Sequence, residues 1–327
     1  MKKFISTIIF VFVVQTSFSS EEINFNIWLD NFKSEALKKG ISQDTINKTF
    51  TKVRYVEKVI EYDRKQPEFF EDTNTYIKKR ATRSKVIKAR KFYFKNKTLF
   101  DEVEKNFKVE KELLLSLWGI ETNFGKNVGK MDIISSLATL SFDKRRSKFF
   151  SNQLMSLLEL IDDNLIKIDT LYGSWAGAFG NFQFMPSTIK NYAIDYDKNS
   201  KIELKKSLYD SVASAANYVN KVGWKFGSKC FYQVKLMKPV KKKYINDSAK
   251  NIKNYLSINK WKEKGIANID NLKIKTNVKA ALILPDGTEN SPAYLVFDNY
   301  EKILKWNRSL RFGITVCTLA NMIKDEI

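Results

Sequence analysis

Glu121 is the carboxylate whose surroundings in the sequence best suit acid–base chemistry. It follows Leu114 by seven residues and Leu117 by four, so it falls on the apolar face of a helix predicted within residues 110–125. Gly125 then predicts the end of that helix. Apolar surroundings and the negative end of the helix dipole both disfavour a charged carboxylate, so we expect a raised pKa, as a general acid near neutral pH requires. The spacing leaves open a plainer alternative, a glutamate at a frayed helix end with its carboxylate in water.

A glycine-rich stretch at residues 173–188 carries the second group of chemically useful side chains. Gly173, Gly177 and Gly180 would let the backbone approach another group closely, but their spacing matches neither standard phosphate-binding loop. Flat aromatic rings beside hydrogen-bonding groups suit sugar rings, which present apolar faces and hydroxyls. The side chains of this mixture are Trp175, Phe179, Phe182, Phe184, Ser174, Asn181 and Gln183. The alternative is a buried, glycine-rich helix crossing.

Residues 195–210 offer oxygen ligands at alternate positions, as the first half of a calcium-binding loop does. The candidate ligands are Asp195, Asp197, Asn199 and Asp210. Two features count against the ion, because Ser200 stands where the turn glycine is expected and Lys206 where the closing glutamate is expected. We therefore favour a plain turn rich in Asp and Asn, with a bound calcium ion as the alternative. No cofactor is expected to be required.

The composition of the 327-residue chain narrows the chemistry further. The sequence contains no histidine, which excludes Ser-His-Asp and Cys-His hydrolases, histidine-ligated zinc sites and histidine bases. Acid–base chemistry is therefore left mainly to carboxylates, lysine and tyrosine. The formal net charge of +21 favours a polyanionic partner, which in principle is nucleic acid, an anionic lipid or an acidic cell-wall polymer.

Residues 1–19 have the pattern of a secretory signal peptide. Lys2 and Lys3 precede an apolar run at residues 4–14 that is too short to span a bilayer comfortably, and we expect cleavage after Ser19. No cysteine lies near that point to carry a lipid. We therefore predict an exported protein with no transmembrane anchor in the mature chain, which argues against nucleic acid as a partner.

Cys230 and Cys317 are the only cysteines in the sequence. In an oxidising compartment they could pair, but the sequence does not establish that their Cα atoms come close enough for a disulfide. We favour two separate structural thiols, with a disulfide as the alternative.

The elements that must position these side chains are predicted to be mainly helical. Apolar residues recur at helical spacing over residues 27–39, 45–60, 73–94, 99–107, 113–125, 149–163, 210–222, 299–306 and 310–323. Strand-like runs occupy residues 231–236, 273–284 and 293–297. We expect the helices of the first third of the chain to serve only in packing, with their other faces in water.

The change in pattern along the chain predicts five parts. They are a signal peptide at 1–19, an N-terminal helical region at 20–108, a catalytic core at 109–228, a small mixed β lobe at 229–297 and C-terminal helices that complete the core at 298–327.

In these motifs the sequence resembles the lytic murein transglycosylases of type B. The resemblance rests on an ordered series of short matches at residues 118–125, 137–142, 173–180, 183–187, 216–218 and 306–307, and residues 63–67 fit the family's N-terminal part. It extends over roughly residues 25–325. It implies a mainly α fold, with a lysozyme-like catalytic core, an N-terminal helical part and a small mixed α/β insertion. It also implies cleavage of the MurNAc–GlcNAc β-1,4 bond of peptidoglycan without consumption of water.

Within this resemblance, Glu121 would act twice. It would protonate the leaving oxygen as an acid, and then take the proton of the MurNAc C6 hydroxyl as a base, which closes a 1,6-anhydro ring. This differs from the pair of carboxylates in most glycosidases. The implied substrate-binding residues are Ser174, Gln183, Tyr218, Trp306 and Asn307. The segment 195–210 matches the family's calcium loop.

The sequence departs from the family at two cleft positions, where Trp306 and Phe312 replace tyrosines that are common there. Two hydroxyls are thereby lost, although Trp306 can still stack on a sugar. The resemblance further implies a periplasmic location, glycan strands of peptidoglycan as the partner and other cell-wall enzymes as additional partners. Two alternatives stay open: a hydrolytic muramidase on the same fold, and a non-catalytic peptidoglycan-binding protein in which Glu121 is structural.

Overall fold

The computed structural model describes residues 20–65, 70–267, 274–288 and 291–327. The predicted signal peptide at 1–19 lies outside these residues. Within the described part of the chain, no helix has the length and apolar character needed to cross a membrane.

Six helices form the N-terminal region. They are α1 (Ser20–Lys38), α2 (Gln43–Phe50), α3 (Glu57–Arg64), α4 (Thr73–Arg80), α5 (Arg83–Lys95) and α6 (Lys97–Phe107). The sequence predicted a single helix over 73–94, and the structure divides it in two. The reason is Thr82, whose hydroxyl accepts a hydrogen bond from the backbone N–H of Lys85 at 3.3 Å and so caps a new helix start. The single helix predicted over 45–60 is likewise divided into α2 and α3.

The central helix of the molecule is α7 (Lys111–Thr122). It lies among α5, α6, α11 (Leu208–Lys221) and α14 (Leu310–Lys324). Its leucines are at most 2 % exposed, so this helix is apolar on nearly every side. The Ser116 hydroxyl is also buried, and it donates a hydrogen bond to the backbone oxygen of Val316 on α14 at 2.7 Å. Three more helices complete this layer: α8 (Ile133–Phe142), α9 (Ser147–Asp162) and α10 (Pro186–Tyr192).

The strands form two sheets. A short antiparallel pair joins β1 (Met131–Asp132) to β2 (Tyr172–Gly173). The larger sheet has the order β4-β7-β8-β3-β6, with β5 paired to β7. Its strands are β3 (Phe231–Leu236), β4 (Ile245–Asn246), β5 (Leu256–Ser257), β6 (Ile266–Ala267), β7 (Lys279–Ile283) and β8 (Ala293–Val296). The predicted strands at 231–236 and 293–297 are therefore found, and β7 occupies the later part of the strand predicted over 273–284.

Both faces of the larger sheet are covered, which explains why β7 and β8 are continuously apolar in sequence. One face packs on Trp261 of α12 (Ile258–Glu263). The opposite face packs on α13 (Asp298–Trp306) and α14, where Tyr300 and Ile314 are fully buried. The small lobe therefore shares an apolar core with the C-terminal helices.

Cys230 and Cys317 form a disulfide, so our favoured interpretation of two separate thiols was wrong. Cys230 immediately precedes β3, Cys317 lies within α14, and their Cα atoms are 6.3 Å apart, which is within the range that a disulfide spans. Packing of the sheet on α14 brings the two residues together. A contact between positions 87 residues apart leaves no local signal in the sequence.

The disulfide is expected to contribute about 2–4 kcal/mol to the free energy of unfolding, because a crosslink over a long loop restricts the unfolded chain. Urea unfolding of oxidised wild type and of the double variant Cys230→Ala/Cys317→Ala measures this difference. Wild type in reductant is the matched control and should lose a similar amount. Equal unfolding midpoints in all three samples would contradict the prediction.

Candidate active site

Glu121 lies in the last turn of α7, next to the final helical residue Thr122. The helix ends three residues earlier than Gly125 predicted, because Asn123 and Phe124 already have left-handed φ values of 50° and 61°. Gly125 continues this conformation at 80°. Two successive non-glycine residues in this region are unusual, and such strain concentrates at functional sites. The tight turn leaves Glu121 at the negative end of the helix dipole, as the sequence predicted.

A buried hydrogen-bond network holds this turn. The Thr122 hydroxyl donates to the backbone oxygen of Asn181 at 2.7 Å and accepts from the backbone N–H of Gly125 at 2.9 Å. The Asn181 side-chain oxygen accepts from the indole N–H of Trp118 at 3.3 Å. A Cβ on Gly125 would lie 2.8 Å from that same oxygen, which makes glycine necessary there. Asn181, which the sequence placed among candidate sugar-binding groups, therefore joins the two key stretches of the chain.

The Glu121 carboxylate accepts a hydrogen bond from Trp306 at the end of α13. The indole Nε1–H of Trp306 lies 2.9 Å from Oε1 of Glu121. The sequence predicted Trp306 only as a stacking surface for sugar. Its ring edge instead donates a hydrogen bond, at a position where the resemblance expects a tyrosine hydroxyl. Because an indole N–H and a phenol O–H are both donors, this replacement was the signal in the sequence that could have predicted the bond.

Glu121 faces a cavity of about 450 Å³ that combines polar and aromatic walls. The lining residues are Tyr62, Lys65, Glu121, Ser174, Trp175, Ala176, Ala178, Gln183, Trp306 and Asn307. The structure thus brings together five of the six residues predicted for catalysis and substrate binding. Glu121 is the only carboxylate on this wall among the residues that the structure describes.

Tyr62 and Lys65 were missed by the sequence analysis, which expected only packing and solvated faces in the first third of the chain. Tyr62 belongs to α3 and Lys65 directly follows that helix. The N-terminal region therefore forms one wall of the cavity. The family-like run at residues 63–67, which contains Lys65, was the available signal in the sequence. It did not show that this part of the chain reaches the cavity, which depends on the packing of α3 against α8.

The glycine-rich stretch presents Ser174 and Gln183 to the cavity through a tight turn. The Ser174 backbone N–H donates to the oxygen of Ala178 at 2.8 Å, and the Ala178 N–H donates to the Ser174 hydroxyl at 3.1 Å. Gly177 has a φ of 84°, and a Cβ there would collide with Leu137 at 2.4 Å. The Gln183 Nε2 donates to the backbone oxygens of Gly180 and Val128 at 3.0 and 3.2 Å. These bonds fix the amide so that its carbonyl oxygen is the group left to accept from a ligand.

Tyr218, the sixth predicted residue, does not line the cavity. Its hydroxyl donates to the backbone oxygen of Lys305 at 2.8 Å, and its ring lies 5.2 Å from the ring of Trp306. Burial, with a further contribution from Tyr192, raises the pKa of Tyr218 to about 12, so the phenol remains a neutral donor at ordinary pH. Tyr218 therefore packs against Trp306 without lining the cavity itself.

The candidate calcium loop brings three carboxylates together. Oxygens of Asp195, Asp197 and Asp210 all lie within 4.8 Å of one another. Burial raises the pKa of Asp210, against the opposing effect of backbone hydrogen bonds to its carboxylate. Hard carboxylate oxygens suit calcium, so these three residues would be the ligands of any calcium ion bound at this loop.

The same loop is also closed by its own hydrogen bonds. Asp195 accepts from the backbone N–H groups of Asn199 and Ser200 at 3.1 and 2.7 Å. The fourth predicted ligand, Asn199, accepts through its side chain from the N–H of Lys201 at 3.0 Å. Ser200, which stands where the turn glycine was expected, has a φ of 66° and so adopts the conformation that glycine favours.

We expect calcium binding at this loop to be weak, because backbone N–H groups already occupy its oxygens and lysines surround it. A ligand that is present far above its dissociation constant must raise the midpoint of thermal unfolding. If calcium binds weakly, the midpoint should therefore be the same in millimolar calcium and in chelator. Asp197→Ala is the control. A clear upward shift in calcium that this substitution abolishes would refute the prediction.

A helical core that places Glu121 in a groove of aromatic and amide side chains is typical of the lysozyme-like class of glycan-processing proteins. Residues 24–321 match the family model of the transglycosylase SLT domain. The chain belongs to this family, and the predicted family and fold class are confirmed.

Named relatives agree with this placement. Over 117 residues the chain is 40 % identical to membrane-bound lytic murein transglycosylase B of Escherichia coli (strain K12), covering 36 % of this chain and 32 % of that protein. The match thus spans about a third of the relative's length. The structure of SltB3 from Pseudomonas aeruginosa in complex with NAG-anhNAM-pentapeptide is 30 % identical, with a TM-score of 0.81, and covers 92 % of this chain and 79 % of that one. Soluble lytic transglycosylase SltB1 from the same organism has a TM-score of 0.80 at 23 % identity, covers 91 % of this chain and 98 % of that one, and supports the fold alone.

Proposed function

We propose that the protein is a peptidoglycan lytic transglycosylase, a lyase that cleaves the MurNAc–GlcNAc β-1,4 bond and leaves 1,6-anhydroMurNAc ends. The observation that carries this proposal is that Glu121 is the only carboxylate among the described residues that line the cavity. The chain belongs to the family of the transglycosylase SLT domain, which supports the same chemistry. The neighbour SltB3 has been seen with NAG-anhNAM-pentapeptide and with NAG-NAM-pentapeptide, which supports a glycan of this kind as the substrate here.

Glu121 would perform both proton transfers of the reaction. As an acid it protonates the glycosidic oxygen, and as a carboxylate it then removes the proton of the C6 hydroxyl of the same MurNAc residue. That hydroxyl attacks C1, so the ring closes without water and the carboxylate returns to its protonated state. Because the nucleophile belongs to the substrate, the site needs no second carboxylate. The Trp306 N–H holds one carboxylate oxygen in place during both steps.

The remaining walls suit the binding of a sugar chain. Trp175 and Trp306 offer flat faces for the apolar sides of pyranose rings, and Ser174, Gln183 and Asn307 offer hydrogen-bonding groups for hydroxyl and acetamido substituents. The candidate calcium ligands do not line this cavity, so we assign no step of the reaction to a metal.

A hydrolytic muramidase is the second candidate, since it would use the same fold. Most glycosidases place a second carboxylate within roughly 5–10 Å of the acid, as nucleophile or to activate water. Among the described residues that line the cavity, Glu121 is the one carboxylate, which favours the intramolecular route. A non-catalytic wall-binding protein is the third candidate. Any turnover of peptidoglycan by the protein would exclude it.

We further propose that the protein acts in the periplasm after export, with peptidoglycan strands as its partner and other cell-wall enzymes as candidate partners. The apolar leader predicted at residues 1–19 and the high positive charge support this location and this polyanionic substrate.

Digestion of purified sacculi tests the function directly. Products should have the mass of anhydro-muropeptides, one water lighter than the products of hydrolysis. Glu121→Gln should keep the fold and lower turnover by more than about 10²–10⁴-fold, because the amide can neither donate nor accept the proton and both steps share this residue.

Glu112→Gln is the matched control for this substitution, since Glu112 lies on the first turn of the same helix and outside the cavity. It should digest sacculi as wild type does. Hydrated products would favour the muramidase, and turnover by Glu121→Gln within a few-fold of wild type would overturn the assignment of the acid.

Trp306→Phe tests the bond between the indole and the carboxylate. The phenyl ring can keep the contacts with Phe184 and Tyr218 but removes the N–H donor. A hydrogen bond to a charged group is worth about 1.5–3 kcal/mol, so kcat should fall roughly 10- to 100-fold with little change in KM.

Trp175→Phe is the comparison for this prediction, because Trp175 lines the same cavity and its expected role is sugar contact. This variant should raise KM more than it lowers kcat. If Trp306→Phe behaved in the same way, with KM raised and kcat unchanged, stacking on sugar would be its role.

A further inference from the structure

The outward face of α5 combines exposed apolar side chains with cations. Ile87 and Phe94 are 58 % and 54 % exposed and lie seven residues apart, which places them two turns apart on one side of the helix. Arg90 and Lys91, both exposed, lie on either side of this apolar line, and Lys95 follows it. The Arg90 guanidinium lies 5.7 Å from the centre of the Phe94 ring.

The opposite face of α5 is fixed in the core, so the outward face has a fixed direction. Val86, Ala89 and Tyr93 are buried there. Phe92 lies 4.9 Å from the ring of Trp118 on α7, ring centre to ring centre. The Lys88 ammonium donates to the side-chain oxygen of Asn123 at 3.3 Å, two residues after Glu121. The helix that ends at the cavity is therefore rigidly attached to α5.

The stretch of sequence that carries this face has only positive charges. Residues 73–100 contain no acidic residue, and their basic residues are Lys78, Lys79, Arg80, Arg83, Lys85, Lys88, Arg90, Lys91, Lys95 and Lys97. Arg83 pairs with Glu326. The Glu326 carboxylate also attracts Arg90 electrostatically, but no salt bridge joins Arg90, Lys91 or Lys95 to an acidic side chain in the parts of the chain that the structure describes. These three cations are thus available to an external anion.

We propose that this face of α5 binds the surface of an anionic phospholipid bilayer. An interfacial helix of this kind places large apolar residues at the boundary of headgroups and acyl chains, with lysine and arginine at the level of the phosphates. Ile87 and Phe94 supply the first element and Arg90, Lys91 and Lys95 the second. The proposal does not depend on the glycan chemistry of the cavity.

An acidic wall polymer or a second protein copy explains this face less well. Carboxylates of a stem peptide would engage the cations but give no reason for two large apolar side chains to stand in water. A second copy would place like charges against each other, which is unfavourable. Phospholipid meets both requirements, because its phosphates pair with the cations while its acyl region takes up the apolar side chains.

Co-sedimentation with vesicles tests the proposal on the chain from residue 20 onward, since an uncleaved apolar leader would bind lipid by itself. At low salt this protein should bind vesicles of phosphatidylglycerol mixed with phosphatidylcholine, and bind pure phosphatidylcholine far less. Binding should weaken as salt rises, because charges are then screened. No binding to the anionic vesicles at low salt would overturn the proposal.

Two double variants separate this face from the overall charge. Arg90→Glu/Lys91→Glu should lower the partition coefficient more than about 25-fold, since each cation near an anionic surface contributes roughly fivefold. Ile87→Ser/Phe94→Ser should lower it about tenfold through lost apolar burial. Each variant should retain the wild-type thermal midpoint and digest sacculi normally, because the substituted side chains are exposed and lie outside the cavity.

Matched controls change the same chemistry elsewhere on the surface. Lys241→Glu/Lys242→Glu reverses two exposed lysines of the small lobe, and Phe226→Ser/Met237→Ser removes two exposed apolar side chains. Both should bind vesicles nearly as wild type does. If the charge reversals on α5 and on the small lobe lowered vesicle binding equally, the protein would be adsorbing by its overall charge. If Ile87→Ser/Phe94→Ser left vesicle binding unchanged, no apolar side chain of α5 would insert into the bilayer. Either result overturns the proposal.

Discussion

The hydroxyl of Thr122 is the contact on which the geometry of the cavity depends. It joins the last residue of α7 to Asn181 in the glycine-rich stretch and also holds the N–H of Gly125 in the turn that follows. Thr122 is fully buried, so a lost partner would leave a polar group without compensation, at a cost of about 1–3 kcal/mol. One side chain thus fixes Glu121 relative to the stretch that carries Ser174 and Gln183.

The small lobe has a role at the site although none of its described residues lines the cavity wall. Its sheet packs on α13, the helix that ends at Trp306. The Tyr300 hydroxyl donates to the backbone oxygen of Leu310 at 2.8 Å, and the Asn299 amide donates to the oxygens of Lys225 and Ser228, each at 2.8 Å. These bonds and the disulfide fix α13 against α14 and β3. The position of the indole N–H beside Glu121 therefore depends on the lobe.

Local patterns were enough to predict most of the helical regions, though not the breaks that divide two of them or the short helix α12. They also predicted two of the strands of the larger sheet and the two stretches that meet at the cavity. Spacing placed Glu121 on α7 because helical periodicity is a local property. Contacts between distant segments could not be predicted in the same way: the disulfide, the approach of Tyr62 and the bond from Trp306 all join positions far apart in sequence. Tyr218 shows a different limit, since a matching motif identified the residue but not which side of Trp306 it occupies.

The left-handed turn after Glu121 would be less strained with glycine at its first two positions, yet the structure shows why asparagine and phenylalanine stand there. The Phe124 ring packs 5.3 Å from Phe92 and 5.4 Å from Trp118, and it covers Gly119 so closely that a Cβ there would lie 2.9 Å away. Asn123 accepts the hydrogen bond from α5. Strain of about 1–3 kcal/mol per residue is thus offset by contacts that glycine cannot make. The same contacts hold the end of α7 rigid, which a carboxylate that must both give and take a proton at one position requires.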